Sequence, residues 1–461
     1  MSIGNIGIVA GIASTGLDSI GRQLAIVSQN VANASTPGYS RQRQEISAEQ
    51  AGGAGIGVRV GLTVRTVDVA LQTQGFAASA QASGRQITSD ALTALDAVSG
   101  QPGGGADLPA LLGSLRDAFS TLSGDPSNAT QQGLVVDQAA ALARGVNQLG
   151  HAAGRVRQAA QDSAVADVGV ANEALRTVGV LSAQIRQATS QGDSTAQLED
   201  QRDAALTQVA DITGARIFHQ PNGDVLAIAG GLALPQDAST GPFSLAPATV
   251  ATAGGPAAPR LFVSGLDATV QFATQATGQI GAHLALRDVV LPGVQAQVDG
   301  FAQTLATGFQ ARGLTLFADG SGTVPAVTAG FSEAIGVSAA VRAAPSQVRD
   351  GAGPAGPAGA TGLITALLSG PLATGPGTLA SAATELVAGV ASQATQAASR
   401  LKTDQGVATS LATKLASTTG VSVDAELADL VKLQAAYTAN ARVLSATNQL
   451  WNDLFAAVTT R

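Results

Sequence analysis

The chain has 461 residues, 45% hydrophobic but only 3% aromatic, a formal net charge of -7 and no cysteine. Its length predicts two or three domains, because single cores stop growing beyond roughly 250 to 300 residues. Missing thiols exclude disulfides, thiolate zinc sites and cysteine nucleophiles, scarce aromatics disfavour deep aromatic-lined pockets, and no dense basic run offers nucleic acid a footprint.

Met1 to Gln42 is expected to open as a helix with a heptad seam. Ile3, Ile6, Ala10, Ala13, Leu17, Ile20, Leu24, Val27 and Val31 follow one another at alternating steps of three and four. Such a seam needs a second helix. Gly4, Gly7, Gly11, Gly16 and Gly21 each cost roughly 1 kcal/mol relative to Ala in a helix interior. The helix is therefore weak alone and is expected to set when docked in something larger. Asn33, Ser35, Thr36, Pro37 and Gly38 stop it and turn the chain. With Asn30 and Tyr39 on either side they make a compact turn signature.

Beyond the turn, Ile56 to Leu71 reads as extended chain, with Val58, Val60, Leu62 and Val64 alternating against Arg59, Gly61, Thr63 and Arg65. The glycines before it, Gly52, Gly53, Gly55 and Gly57, match no phosphate-loop pattern and read as a flexible loop. A helical period runs from about Leu71 to Ser99, and a Pro/Gly loop follows at Gln101 to Gly105. Leu108, Leu112, Leu115, Phe119 and Leu122 form a further stripe that ends at Gly124, Asp125 and Pro126. A longer tract from about Gln131 to Ile212, broken at Gly192 and Asp193, predicts at least two long helices.

At Ala215 the period changes to two. Arg216 to Phe218, then Pro221, Asn222, Gly223 and Asp224, then Val225 to Ala229 predict a β-hairpin. Apolar runs at Leu261 to Val263 and Ala268 to Phe272 are expected to continue a β module. Helical spacing returns from Gln279 to about Arg312, with Leu284, Leu291, Val294, Val298, Phe301 and Leu305 on one face. From Leu316 to Gly370 the signals are mixed, with a short strand near Ile335 to Val337. GPAGPAG at Gly353 to Gly359 is too short for a collagen helix and reads as linker.

Helix resumes near Leu379 and runs to about Thr418. After Thr419 and Gly420, Asp424 and Glu426 suit the N-terminus of a last helix. That helix carries its own stripe: Val423, Leu427, Leu430, Gln434, Tyr437, Ala441, Leu444, Asn448, Trp451, Phe455 and Val458. The first and last helices are natural partners. The fold class expected is mainly α with a β-containing insertion, the long terminal helices pairing as a coiled coil around nested, discontinuous domains. Residues 1–42 with 421–461 form the terminal unit, 43–213 with 371–420 a helical rod-like unit, and 214–370 an outer insertion.

The run SQNVANASTPGYSRQ from Ser28 to Gln42 resembles the N-terminal signature of flagellar axial proteins. With VDAELADLVKLQAAYTANARVLSATNQLWNDL from Val423 to Leu454, the resemblance points to the hook-associated, hook-filament junction family. Weaker similarity covers Leu108 to Asn147, Leu198 to Leu206 and Ala285 to Ala306. The resemblance implies an inner tube of terminal helices, a surrounding helical layer and an outer β-containing domain. It also implies flagellar type III export without a cleaved signal, and a location at the hook-filament junction. The partners it implies are further copies of the chain in a tube or ring, hook protein, a second junction protein, and an export chaperone on the C-terminal helix. An assembly seam of Leu17, Ile20, Leu24, Val27, Val31, Leu427, Leu430, Tyr437, Leu444, Trp451 and Phe455 is expected, with the signature turn of Asn30, Asn33, Thr36, Pro37, Gly38 and Tyr39 beside it.

Catalytic chemistry finds no support. Glu199, Asp200 and Asp203 surround Arg202 without a neighbouring histidine, and read as a surface or interdomain salt-bridge network. His151, His219 and His283 stand apart, with no metal-ligand spacing and no nucleophile motif. No cofactor, metal ion or catalytic residue is expected. Neither a cleaved signal nor a membrane span is predicted. The rival readings are another axial subunit, of hook or rod, and a secreted enzyme or adhesin carried on axial ends.

Overall fold

The computed structural model describes residues 3–51, 54–100, 105, 107–220, 223–236, 241–350, 364, 367–368, 370 and 377–459. Of the sequence expectations, the linker at 353–359, most of the loop at 101–105, Gly52 and Gly53, and Pro221 and Asn222 lie outside them, as do the side chains of Ile3, Ile6 and Val458.

The first helix, α1, spans Ile3–Ala32 and is followed by an antiparallel hairpin of β1 (Gln42–Ala51) and β2 (Ala54–Arg65) lying against it. Strand β1, QRQEISAEQA, is absent from the sequence reading because polar residues occupy both of its faces. The extended segment also ends earlier than expected. Asp68, accepting from the Leu71 amide, caps α2 (Val69–Ser99).

Asp107 caps α3 (Leu108–Gly124), and Asn128 caps α4 (Ala129–Gln191) by accepting from the amides of Thr130 and Gln131. At 63 residues α4 is about 95 Å long, given a rise of ~1.5 Å per residue. Gly192, in the left-handed region, ends it, and α5 (Ala196–Thr213) turns back along it. The break at Gly192 and Asp193 is where the sequence placed it.

The inserted segment starts with β3 (Arg216–His219), β4 (Val225–Ala229) and β5 (Leu232–Ala233), an antiparallel sheet in that order. A second small sheet holds β6 (Phe243–Ser244), β7 (Phe262–Val263) and β8 (Leu266–Asp267). The expected strand at Ala268 to Phe272 is instead the start of α6 (Thr269–Gln275). The Asp267 carboxylate accepts from both the amide and the hydroxyl of Thr269, and Ala268 and Phe272 sit one helical turn apart. Next come α7 (Gly278–Ala285), a π-helical turn at Leu286–Val290, and α8 (Leu291–Gln310). Strands β9 (Phe317–Ala318) and β10 (Gly336–Val337) pair around α9 (Phe331–Ala334), and two short helices, α10 (Ala339–Ala343) and α11 (Gln347–Asp350), follow. A reciprocal Thr378–Ser381 cap starts α12 (Leu379–Thr419), and α13 (Val423–Thr459) ends the described chain.

Two cores hold this together, and α4 runs through both. Its first half, with Leu142, Val146 and Leu149, packs with Leu115 and Phe119 of α3, Phe309 of α8, and Leu379 and Leu386 of α12. Phe309 stands between Phe119 and Phe317, at centroid distances of 6.0 and 5.3 Å. Its second half, with Leu175 and Val178, packs with Phe76 of α2, Leu206 and Val209 of α5, and Ile217, Phe272 and Ile280 of the insertion. Residues of the 214–350 segment thus enter cores that they share with α2 to α5. Two antiparallel pairs complete the fold. One is α2 with α12, joined by Leu92 against Ala394 and Ala397 and by an Arg85–Asp404 ion pair; the other is α1 with α13. The fold is mainly helical, with small β elements inserted and the terminal helices packed together.

One buried pair yields a pH prediction. His283 Nε2 on α7 lies 3.4 Å from Asp167 Oδ2 on α4, and burial pushes the carboxyl up to about 6 and the imidazole down to about 4. The raised carboxyl adds stability as pH falls through 6, because the folded state then binds the extra proton. The depressed imidazole removes stability as pH falls below its unfolded value, because the unfolded state binds the extra proton. The two oppose each other over the same window. Urea titrations from pH 7 to 4 should therefore show Asp167→Asn losing stability on acidification more steeply than wild type, and His283→Gln gaining it; identical slopes for all three would refute the assignment.

Candidate functional site

Where α1 ends, the chain is tied to α13, α12 and α5 at once. Asn30, buried on the last turn of α1, makes four hydrogen bonds. Its Nδ2 donates to the Gln42 carbonyl at 2.9 Å and to Glu426 Oε2 at 3.2 Å, and its Oδ1 accepts from the Tyr39 hydroxyl at 2.9 Å and the Gln42 amide at 3.0 Å. Asn33 caps the turn locally, accepting from the Thr36 hydroxyl, while its carbonyl takes the Thr36 amide. Pro37 follows, and Gly38 takes φ +79°, a conformation that side chains rarely adopt. Tyr39 can then reach back to Asn30. Burial, with the Asp200 and Glu426 carboxylates nearby, pushes the Tyr39 phenol up to about 12, so it stays a donor at any physiological pH.

Glu426, in the first turn of α13, is completely buried. A buried carboxylate costs heavily unless it is paired and hydrogen-bonded. Arg41 Nε donates to its Oε1 at 2.5 Å, and Asn30 serves its other oxygen. Arg41 also reaches Asp429 at 3.2 Å, and its amide donates to the Thr419 carbonyl at the end of α12. The helix cap expected from Asp424 and Glu426 is supplied instead by Ser422, whose hydroxyl accepts from the Ala425 amide; Glu426 is withdrawn into the joint.

A second tie joins the hairpin to α5. Arg65, at the end of β2, reaches Glu199 at 2.7 Å, Asp200 at 3.1 Å and Asp203 at 2.5 Å. Burial alone would lower the guanidinium, but the three carboxylates outweigh it and raise it. Arg202, the basic residue between those acids in sequence, points away to the Gly223 carbonyl. The network read from the sequence is present, and its cation comes from a strand 134 residues earlier. Asp200 also accepts from the Ser40 amide, which binds the turn to α5.

The seam residues divide. Ile20 and Val27 are buried, with Ala13 and Ser19 beside them, while Leu17, Leu24 and Val31 are half-buried. On α13, Leu430, Leu444 and Trp451 are half-buried, and Leu427, Tyr437 and Phe455 are 49%, 46% and 62% exposed. Trp451 and Phe455 stack on each other at 5.8 Å. The less exposed positions of α13, which packs on α1, are Glu426, Asp429, Leu430, Leu433, Ala436, Asn440, Ala441, Leu444, Thr447, Trp451 and Leu454. Counted at roughly 100° per residue, the sequence stripe is centred about 60° round the helix from the centre of those positions. The sequence does not mark Gln42, Arg41, Arg65 and Thr419 as joint residues, because nothing local tells a polar residue's distant partner.

Among the described residues, no group of three or more His, Asp or Glu side chains is placed to hold a metal ion, and no helix is long and apolar enough to cross a membrane. The joint is a fastening. Replacing Arg65 by Gln leaves three partly buried carboxylates facing one another, and should cost about 3–5 kcal/mol in chemical denaturation, the usual penalty for breaking a buried ion pair; a loss below about 1 kcal/mol would mean that solvent already screens them.

Comparison with known proteins agrees with this architecture. Residues 92–322, half of the chain, match the flagellar hook-associated protein FlgK helical domain, and residues 416–455 match the flagellar basal body rod FlgEFG protein C-terminal family. No curated protein matches. A solved structure, the flagellar hook junction protein FlgK from Burkholderia pseudomallei, is 23% identical over 55% of this chain, with a TM-score of 0.43. The match spans 45% of that protein, less than half of its length. The first of these matches covers α3 to α8, the body through which α4 runs, and the second covers α13 and the end of α12. The chain therefore belongs to the flagellar hook-associated and rod-hook axial proteins, a structural family, and is related to FlgK.

Proposed function

We propose that this protein is the structural subunit that joins hook to filament, built in through its N- and C-terminal helices after flagellar type III export. The observation that carries the reading is the offset of the α13 stripe. Half of the heptad pattern is spent on α1, and Leu427, Tyr437 and Phe455 are left facing solvent. Ile8, Val9 and Ile12 near the other terminus are exposed as well. A pattern broader than its intrachain contact suits helices that touch further copies, where apolar burial stabilises by about 25 cal/mol per Å2.

On this reading 1–42 with 421–461 is the assembling unit, 43–213 with 371–420 the layer around it, and 214–370 the outermost part. Copies of the chain meet in a tube or ring, with hook protein on one side and a second junction protein on the other. Before export, a chaperone covers the apolar face of α13, including Leu430, Leu444 and Trp451. The match of 416–455 to the rod family favours one alternative, a hook or rod subunit; the match of 92–322 to the hook-associated helical domain supports the junction.

Loss of the gene separates the two. A junction subunit predicts hooks that assemble but carry no filament, with filament protein shed into the medium, whereas absence of hooks would overturn the junction reading. Complementation with Leu427→Asp plus Tyr437→Asp should fail to restore filaments while leaving monomer stability within about 0.5 kcal/mol per exposed site.

A further inference from the structure

The two cores of the body meet at one level. On α4 the first core ends at Ala160 and the second begins at Ala164; on the neighbouring stretch, the second ends at Leu284 of α7 and the first begins at Leu286 of the π-helical turn. That level is occupied by charge. Arg287, only 1% exposed, forks onto Asp288 through Nε at 2.7 Å and Nη2 at 2.6 Å, while its Nη1 donates to Oε1 of the buried Gln161 at 2.5 Å. Gln161 in turn donates to the Ala246 carbonyl at 2.8 Å. Arg157, one turn earlier on α4, donates from Nε to the Arg287 carbonyl at 2.9 Å. His283 and Asp167, 3.4 Å apart, extend this layer on the side of the second core.

The layer is tied to an irregularity of the backbone. Within the π-helical turn the Leu291 amide bonds to the Leu286 carbonyl, five residues back. In that register the donor for the Arg287 carbonyl would be residue 292, which is proline and has no N–H. Arg157 supplies the donor instead. Two guanidiniums here share the Asp288 carboxylate, and burial lowers that of Arg157 in spite of it. A buried network of this kind adds little net stability, whereas apolar burial shared between two parts of a chain is what makes them open together.

We infer that the layer is a parting plane. The half of the body built on α3 and α8 and the half built on α5 and the small sheets open as separate cooperative units, with α4 yielding between Ala160 and Ala164. The Arg65 ion pairs and the Ser40 bond to Asp200 all end on α5, in the second half. A disturbance at the signature turn therefore loosens that half and leaves the other folded. The inference concerns the body alone, so it holds or fails independently of the junction reading.

Hydrogen exchange of the full-length protein in sub-denaturing urea, read by mass spectrometry, tests it. Leu115→Ala empties space in the first core and Leu206→Ala in the second, both side chains being fully buried. Leu115→Ala is expected to speed exchange in α3 at least tenfold and in α5 less than twofold, and Leu206→Ala to do the reverse. In a background of Arg287→Met with Gln161→Leu, whose apolar side chains join the cores, Leu115→Ala is expected to speed both helices at least fivefold. Equal acceleration of α3 and α5 by either single variant overturns the inference, a result that stands whether or not the joined background folds. A folded joined background in which α5 still ignores Leu115→Ala overturns the assignment of the plane to this layer.

Discussion

The fold hinges on a carboxylate that has no water. Glu426 lies in the first turn of α13 with no exposed surface, and is tolerated there only because Asn30 and Arg41 hold its two oxygens. Asn30 comes from the end of α1, and Arg41 from the segment that leads into β1. The Arg41 amide in turn holds the end of α12 through Thr419. Two stretches of chain, 385 to 396 residues apart, thus converge on one charge. With one partner buried and the other partly exposed, such a pair adds little net stability compared with an apolar contact, but removing either partner leaves a charge without water. Both Glu426 oxygens find their partners only where the end of α1 lies beside the start of α13.

Beyond the joint, the body is organised by length and thinness. α4 passes from one core into the other, so those cores cannot move independently without bending a helix of 63 residues. Alanine and small apolar residues dominate its buried face, among them Ala139, Ala143, Ala153, Ala160, Ala164 and Ala171, which lets neighbouring helices lie close. At Gly179 the Gln236 carbonyl approaches so nearly that a Cβ there would collide with it. A protein with 3% aromatic residues can be built this way, because close backbone packing replaces bulky side chains as the source of contact. The result is a body threaded by one long helix and tied to the terminal pair at the signature turn.

Much of this is legible in the sequence. The long helices were visible because their apolar period is sustained over many turns, and their ends because Gly124, Gly192 and Gly420 stand where regular structure stops. The hairpin at Arg216 to Ala229 showed itself through its turn residues. What escaped has physical reasons. β1 pairs through its backbone while its side chains stay polar, so no alternation marks it. The start of α6 reads as a strand in sequence because five apolar-rich residues satisfy either period. At the joint, the turn residues were visible as breakers, but Asn30 as a four-bond hub was not, since a polar residue looks alike whether it meets solvent or a buried acid. Arg65 finding its acids on α5 is a tertiary event that local sequence does not encode.

The central claim is that the terminal helices are only half satisfied within one chain and are completed by other copies. Hydrogen exchange compares the two states directly. The account predicts that the amides of Ile8 to Ile20 and Tyr437 to Phe455 exchange rapidly in the dilute monomer, where Gly7, Gly11 and Gly16 weaken α1, and become strongly protected in the assembled organelle, while α4 is protected in both. Terminal helices already as slow as α4 in the monomer, with no further slowing on assembly, would contradict it.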